Sequence, residues 1–251
     1  IQASAVKGAM RAHFREFAQE ANGKQWINAI FGSDEGNDKD FAYAKDGMAA
    51  TLAVTDANLL AFPMRSNVAP FVWVTCPAIL GRLQQNLELT GLTAIDIPEV
   101  SAPDKALNLA GNLSGEVLLE DAIVHADCGE SDYSLPPGFP SLERFFLISD
   151  QMFDYCVGSC TEVQTNIKIN SKTGTAFDGG LRYQELLPSD SFLYSVVFFS
   201  DRDIEGQENR FQAEMIKNYV QKVIQGYMQI GGDATLGRGV CRLSWTEGGA
   251  Q

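Results

Sequence analysis

Apolar positions recur along the chain with two different periods, and the changes of period mark the elements. Val6, Met10, Phe14 and Phe17 fall at i, i+4, i+8 and i+11, which predicts an amphipathic helix over the first segment with Ser4 as its N-cap. A short second helix is expected over 25–30, and strands at 51–54, 59–62 and 71–74. Pro77 stands at the first turn of a helix striped by Leu80, Leu83 and Leu87. Residues 117–126 read as one strand, and Ser141 as the cap of a helix running to Asp154. Val163, Thr165, Ile167 and Ile169 then alternate with Gln164, Asn166, Lys168 and Asn170, a period of two. Lys172-Thr173-Gly174 supplies a turn, and Gly179-Gly180 with 181–187 supplies the return, so a hairpin is predicted. Residues 191–199 read as a buried strand. Residues 208–225 read as a helix with Phe211, Met215, Tyr219, Val223 and Ile216 as its inward candidates. A glycine-rich loop, Gly231 to Gly239, leads into a last strand at 240–245.

Segments 32–50, 93–116 and 127–141 are rich in Gly, Asp, Asn, Ser or Pro and read as surface insertions. Strands and helices mix without strict alternation, which predicts an α+β fold with a mostly antiparallel sheet. A length of 251 residues suits one domain over 1–251. The longest apolar run, 192–199, is far below the roughly 20 residues that span a bilayer, so no membrane partner is expected.

Nineteen basic against 32 acidic residues give a net charge of −13. That excludes a mostly basic surface for nucleic acid but leaves local basic strips open. Five cysteines, an odd and sparse set, argue against a disulfide framework and for a reducing cytoplasm. Cys156-x3-Cys160 is the closest pair. With His13 and His125 as the only histidines, no second ligand pair exists at standard zinc spacing, so no structural metal site is expected. No Gly-x-Ser-x-Gly is present, and neither histidine carries a triad signature.

The first helix is more informative. Lys7, Arg11 and Arg15 form a basic stripe at i, i+4 and i+8. Lys7 sits in the first turn, where the helix dipole disfavours a cation unless an anion is bound there. Ser4, Lys7 and the free amides would form a phosphate seat; a solvated face is the alternative reading. The loop Gly231-Gly232-Asp233-Ala234-Thr235-Leu236-Gly237-Arg238-Gly239 does not fit a Walker loop, because Arg238 and Gly239 replace Lys and the hydroxyl residue. It is either a tight β-connection or a backbone contact to phosphate aided by Arg238.

Taken in order, these stretches resemble a known family. They are the opening Ser4-Ala5-Val6-Lys7-Gly8-Ala9-Met10-Arg11, Ile30-Phe31-Gly32-Ser33, Phe62-Pro63-Met64-Arg65-Ser66 and Phe71-Val72-Trp73-Val74-Thr75-Cys76-Pro77. Gly179-Gly180-Leu181, Leu187-Pro188-Ser189-Asp190, Phe192-Leu193-Tyr194-Ser195 and the closing glycine loop follow. The chain resembles the RAMP superfamily of CRISPR proteins, and more narrowly the repeating backbone subunits of the type III-B (Cmr) effector complex, its fourth-subunit family. The resemblance implies a modified ferredoxin-like (RRM-like) core with insertions and a β-hairpin thumb, for which 163–187 is the candidate. The family's first strand would then lie upstream of Ile1.

The same resemblance implies several copies stacked along a guide RNA (crRNA), each holding about six nucleotides. It implies contacts to further effector subunits and to target RNA, in antiviral defence. Its Ser-x-x-Lys-Gly turn carries RNA contact onto Ser4 and Lys7. Arg11, Arg65, Ser66, Gly237 and Arg238 are further RNA-binding candidates. The family also resembles a metal-dependent ribonuclease, implying a divalent ion such as Mg during target cleavage. Its aspartate belongs to a loop before the opening helix, so no residue here is assigned to it. Tyr183 and Glu185, near the hairpin return, are candidates to face the target and act in catalysis. Three other readings stay open: a RAMP subunit that only holds RNA, a RAMP segment of a fused effector, and an unrelated nucleotide-binding α+β enzyme.

Overall fold

The computed structural model describes residues 1–18, 23–33, 49–129, 133, 135, 142–202 and 211–248. In chain order the first elements are α1 (Ala3–Phe17), α2 (Gly23–Phe31), β1 (Leu52–Val54), β2 (Asn58–Met64), β3 (Val72–Thr75) and α3 (Pro77–Leu89). Next come β4 (Lys105–Asn108), β5 (Gly115–Leu119), β6 (Ala122–Cys128), β7 (Phe145–Ile148), α4 (Asp150–Ser159), β8 (Glu162–Ile169) and β9 (Ala176–Leu186). The last are β10 (Phe192–Tyr194), β11 (Val197–Phe199), α5 (Ala213–Val223), β12 (Gly226–Gln229) and β13 (Val240–Leu243). These elements gather into two compact units: Ile1–Asn58 with Tyr194–Glu247, and Leu59–Leu193 with the residues from Gly248.

In the first unit, α1 buries Val6, Met10 and Phe14, as its period requires. Phe14 meets Phe31 and Tyr219 edge-on at 5.7 and 5.0 Å between ring centres, and Trp26 meets Phe211 and Tyr219 at 4.9 and 4.8 Å. Phe17, expected on the same stripe, is 54% exposed, because the helix outruns the core by a turn; its ring rests on His13 instead. α5 begins at Ala213, whose amide is capped by the Asp201 carboxylate at 2.8 Å. It buries Ile216 and Tyr219 as expected, with Val220 beside them and Phe211 buried just before the helix, whereas Met215 is exposed. The run 191–199 is two short strands in different sheets, not one. Ser195 and Val196 break it by bonding to Thr55, through the hydroxyl to its carbonyl (2.8 Å) and the amide to its hydroxyl (2.9 Å).

The second unit holds a seven-stranded sheet in the order β10-β2-β3-β7-β4-β6-β5. β3–β7 and β4–β6 are parallel; β2–β3, β4–β7 and β5–β6 are antiparallel. One face carries Phe62, Met64, Val72, Val74, Val117, Leu119, Val124, Phe146 and Ile148, packed with Phe153 and Cys156 of α4. Three expectations are corrected here. Residues 145–148 form a fully buried central strand rather than part of a helix from Ser141, which itself lies outside the described residues. A short apolar run buried on both faces has no period to betray it. The stretch 93–116 contains β4, a central strand, and 117–126 is a hairpin turned at Glu120, which takes a left-handed φ of 57°. The expected insertions at 32–50 and 127–141 lie mostly outside the described residues.

Helix starts in this unit are capped by acids and hydroxyls. Ser149 accepts from the Met152 amide at 3.2 Å to open α4, and Asp150 accepts from the Ala78 amide at 2.9 Å to open α3. The predicted hairpin is present as β8–β9, turned at 170–175, with a register shift between Ile167 and Ile169.

All five cysteines are free. Burial pushes the Cys76 and Cys156 thiols up to about 12, with Asp150 adding to Cys76 and Cys160 to Cys156. A thiol raised in the fold contributes stability that is fully present below its unfolded value, about 8.5, and is lost as pH climbs toward 12. Denaturant midpoints are therefore expected to fall between pH 8 and pH 10. At pH 8 a thiol reagent is expected to label exposed Cys128 at once, and Cys76 and Cys156 only after denaturation. Equal labelling rates for Cys128 and Cys156 in the native protein would contradict this burial.

Candidate functional site

The opening helix starts at Ala3, and its N-cap is Gln2, not Ser4. The Ala3 amide donates to the Asp56 carboxylate at 2.7 Å, and the Ala5 and Val6 amides go to the Gln2 carbonyl. A full negative charge from the β1–β2 connection thus does the capping expected of the Ser4 hydroxyl. Sequence reasoning missed Asp56, because its partner lies 53 residues away. Ser4 is exposed in the first helical turn.

Lys7 is half-buried, and its ammonium makes no ion pair among the described residues. Burial lowers its pKa, and the Arg11 charge one turn on lowers it further. A lysine in that setting gains from any anion that reaches it. Arg11 instead turns to α2, its Nη2 donating to Asn28 Oδ1 at 3.4 Å. His13 sets its Nε2 against the Val223 carbonyl at 3.3 Å, a packing role rather than a catalytic one.

Arg238 and Gly237 lie in the first unit too, in the connection between β12 and β13. That connection is the tight β-hairpin of the first alternative. Asp233 and Gly237 both take left-handed backbone, at φ 57° and 73°. Arg238 Nη1 pairs with Asp233 Oδ2 at 2.7 Å, and the Gln229 side chain donates from Nε2 to the Arg238 carbonyl at 2.6 Å. Arg238 therefore braces its own loop.

Arg65 and Ser66 belong to the second unit. Arg65 is 83% exposed along its side chain and gives one donor, Nε, to Glu120 at 3.1 Å. A surface pair of this kind is worth at most about 1 kcal/mol, and four guanidinium N–H groups remain for another acceptor. Ser66 donates to Asn67 Oδ1 and accepts from the Val68 amide, each at 3.4 Å. Tyr183 and Glu185 lie on β9. Tyr183, opposite Thr165, is 69% exposed, and Glu185 accepts from the Thr161 hydroxyl.

Among the described residues no group of three His, Cys, Asp or Glu is placed to hold a metal ion. Glu185 accepts from the Thr161 hydroxyl and belongs to no such group among the described residues. No described side chain is therefore assigned to the divalent ion that the family resemblance implies. Nor is any described helix long and apolar enough to cross a membrane.

The chain belongs to the RAMP superfamily, whose sequence profile matches residues 1–242 and so spans both units. It is 29% identical over 263 residues to the CRISPR system Cmr endoribonuclease Cmr4 of Pyrococcus furiosus, covering 98% of this chain and 83% of that one. It is 23% identical over 280 residues to the CRISPR system CMR subunit Cmr4 of Saccharolobus solfataricus, covering 98% and 84%. Its fold matches the crystal structure of Pyrococcus furiosus Cmr4 (Cas7) with a TM-score of 0.68 at 23% identity, covering 98% and 88%. It matches a chain of the type III-B Cmr-beta complex bound to cognate target RNA with a TM-score of 0.74 at 19% identity, covering 98% and 84%.

Proposed function

We propose that this chain is a backbone subunit of a type III-B CRISPR effector complex, stacking in several copies along a crRNA that it helps to hold against target RNA. The near full-length likeness to two Cmr4 proteins carries the reading. Lys7, a half-buried cation without a counterion among the described residues, supports it as a phosphate contact, with Ser4 beside it and Arg65 and Ser66 as a second. Arg11, Gly237 and Arg238 shape their surroundings and rank below these. The β8–β9 hairpin serves as the thumb, within one RAMP domain that includes both units. Such a complex works in the cytoplasm, in defence against invading nucleic acid, with the other effector subunits as partners.

Target cleavage by the assembled complex, using a divalent ion such as Mg, belongs to the same proposal. Tyr183 and Glu185 have no metal-binding neighbours among the described residues, so neither is given a chemical step.

The test is assembly. The chain, partner subunits and a crRNA are mixed, and the mass of the product is read by native mass spectrometry. Several copies per RNA are expected, and their number should grow with guide length. Lys7→Glu replaces a charge-assisted contact of about 1.5–3 kcal/mol with repulsion, so RNA affinity should fall at least tenfold. One copy per complex whatever the guide length would defeat the stacking reading.

A further inference from the structure

The outward face of the β12–β13 ribbon is largely exposed. Tyr227 and Arg242 are direct cross-strand partners, as are Gln229 and Val240, so these four share a face. Met228 and Cys241 point the other way, and Met228 is buried. Tyr227 is 62% exposed and Val240 60%. Arg242 is exposed, and its guanidinium has neither ion pair nor hydrogen bond among the described residues. An aromatic ring beside an unpaired guanidinium on an open sheet face complements a flat base joined to a phosphate. The ribbon is also pre-set, since the Ile230 amide donates to the Gly239 carbonyl at 2.8 Å and Arg238 braces the loop.

We infer that this face is a stacking step for single-stranded RNA, Tyr227 receiving a base and Arg242 the adjoining phosphate. The inference rests on the RNA-binding reading above and names two residues to which that reading gives no part.

The probe is a 5′-fluorescein-labelled single-stranded RNA 12-mer, titrated with the full chain by anisotropy over a salt series. A duplex of the same sequence serves as competitor. Tyr227→Ala should weaken binding by about 5- to 150-fold, the range for losing one base–aromatic stack, whereas Tyr227→Phe should stay within about twofold. Arg242→Gln should lower the slope of log affinity against log salt by about 0.7, one phosphate on a single strand. The duplex should compete poorly. Photo-crosslinking of 4-thiouridine RNA to the wild-type chain should label the Tyr227 peptide, which needs no variant to fold. Wild-type binding that Lys7→Glu weakens and Tyr227→Ala leaves unchanged would overturn this inference and leave the RNA reading standing. No binding and no crosslink by the wild-type chain would overturn this inference, while the RNA reading stands or falls by the assembly test. A crosslink elsewhere, with the ribbon face shielded only by an added effector subunit, would also overturn it and assign the face to protein contact.

Discussion

Asn108→Leu is expected to destabilise the second unit by about 2–4 kcal/mol, a large share of the roughly 5–15 kcal/mol that holds a typical domain folded. Asn108 is fully buried on β4, and its side chain serves three backbone groups. Its Nδ2 donates to the Phe145 carbonyl at 3.2 Å, and its Oδ1 accepts from the Asn112 and Leu113 amides at 2.9 and 3.2 Å. Leucine matches its branching but is bulkier, and serves none of them. The buried Phe145 carbonyl would lose a donor at the point where β4 meets β7, and the turn after β4 would lose its anchor. Thermal melts of the variant should fall by about 10 °C. A melting temperature within a degree or two of wild type would mean that water already serves these groups.

Gly239→Val should be the next most damaging change, with Gly237→Ala as its control. Both glycines take left-handed backbone, φ 71° and 73°. A Cβ at Gly239 would lie 2.0 Å from the Ile230 carbonyl oxygen, whereas a Cβ at Gly237 meets nothing within 4 Å. Gly237→Ala therefore carries only the conformational penalty, about 1 kcal/mol. Gly239→Val adds a clash with backbone that cannot rotate away, so the ribbon must part, at about 3 kcal/mol or more. Urea unfolding of the two variants decides it: equal losses would show that conformation alone, and not close approach, fixes Gly239.

The contrast between elements that sequence predicts and those it hides has a physical basis. α1 and α3 each bury one face and keep the other in water, so their period of 3.6 is written in the alternation of residue types, while β8–β9 alternates with period 2 although both its faces are largely exposed. Phe145-Phe146-Leu147-Ile148 is buried on both faces and carries no alternation, so the same letters suit a helix. β4 lies hidden in a polar stretch because only four of its residues pair, and one of its buried residues is an asparagine. Of the candidate site, Lys7 was legible from its place in the first turn. The capping role of Asp56 was not, since it depends on a contact across the chain. The Tyr227–Arg242 pair was hidden for a related reason: 226–229 follows α5 without a break, and its strand character comes only from pairing with β13.

The central claim is that this chain forms the spine of a guide-RNA complex, and the RNA it carries tests that most directly. Co-expression with a CRISPR repeat–spacer transcript and the partner subunits, followed by extraction and sequencing of the bound RNA, should recover molecules with a repeat-derived 5′ end. The double variant Lys7→Glu, Arg65→Glu should lose them while remaining folded. A folded wild-type chain that purifies with its partners but without RNA, or with RNA of unrelated sequence, would contradict the account.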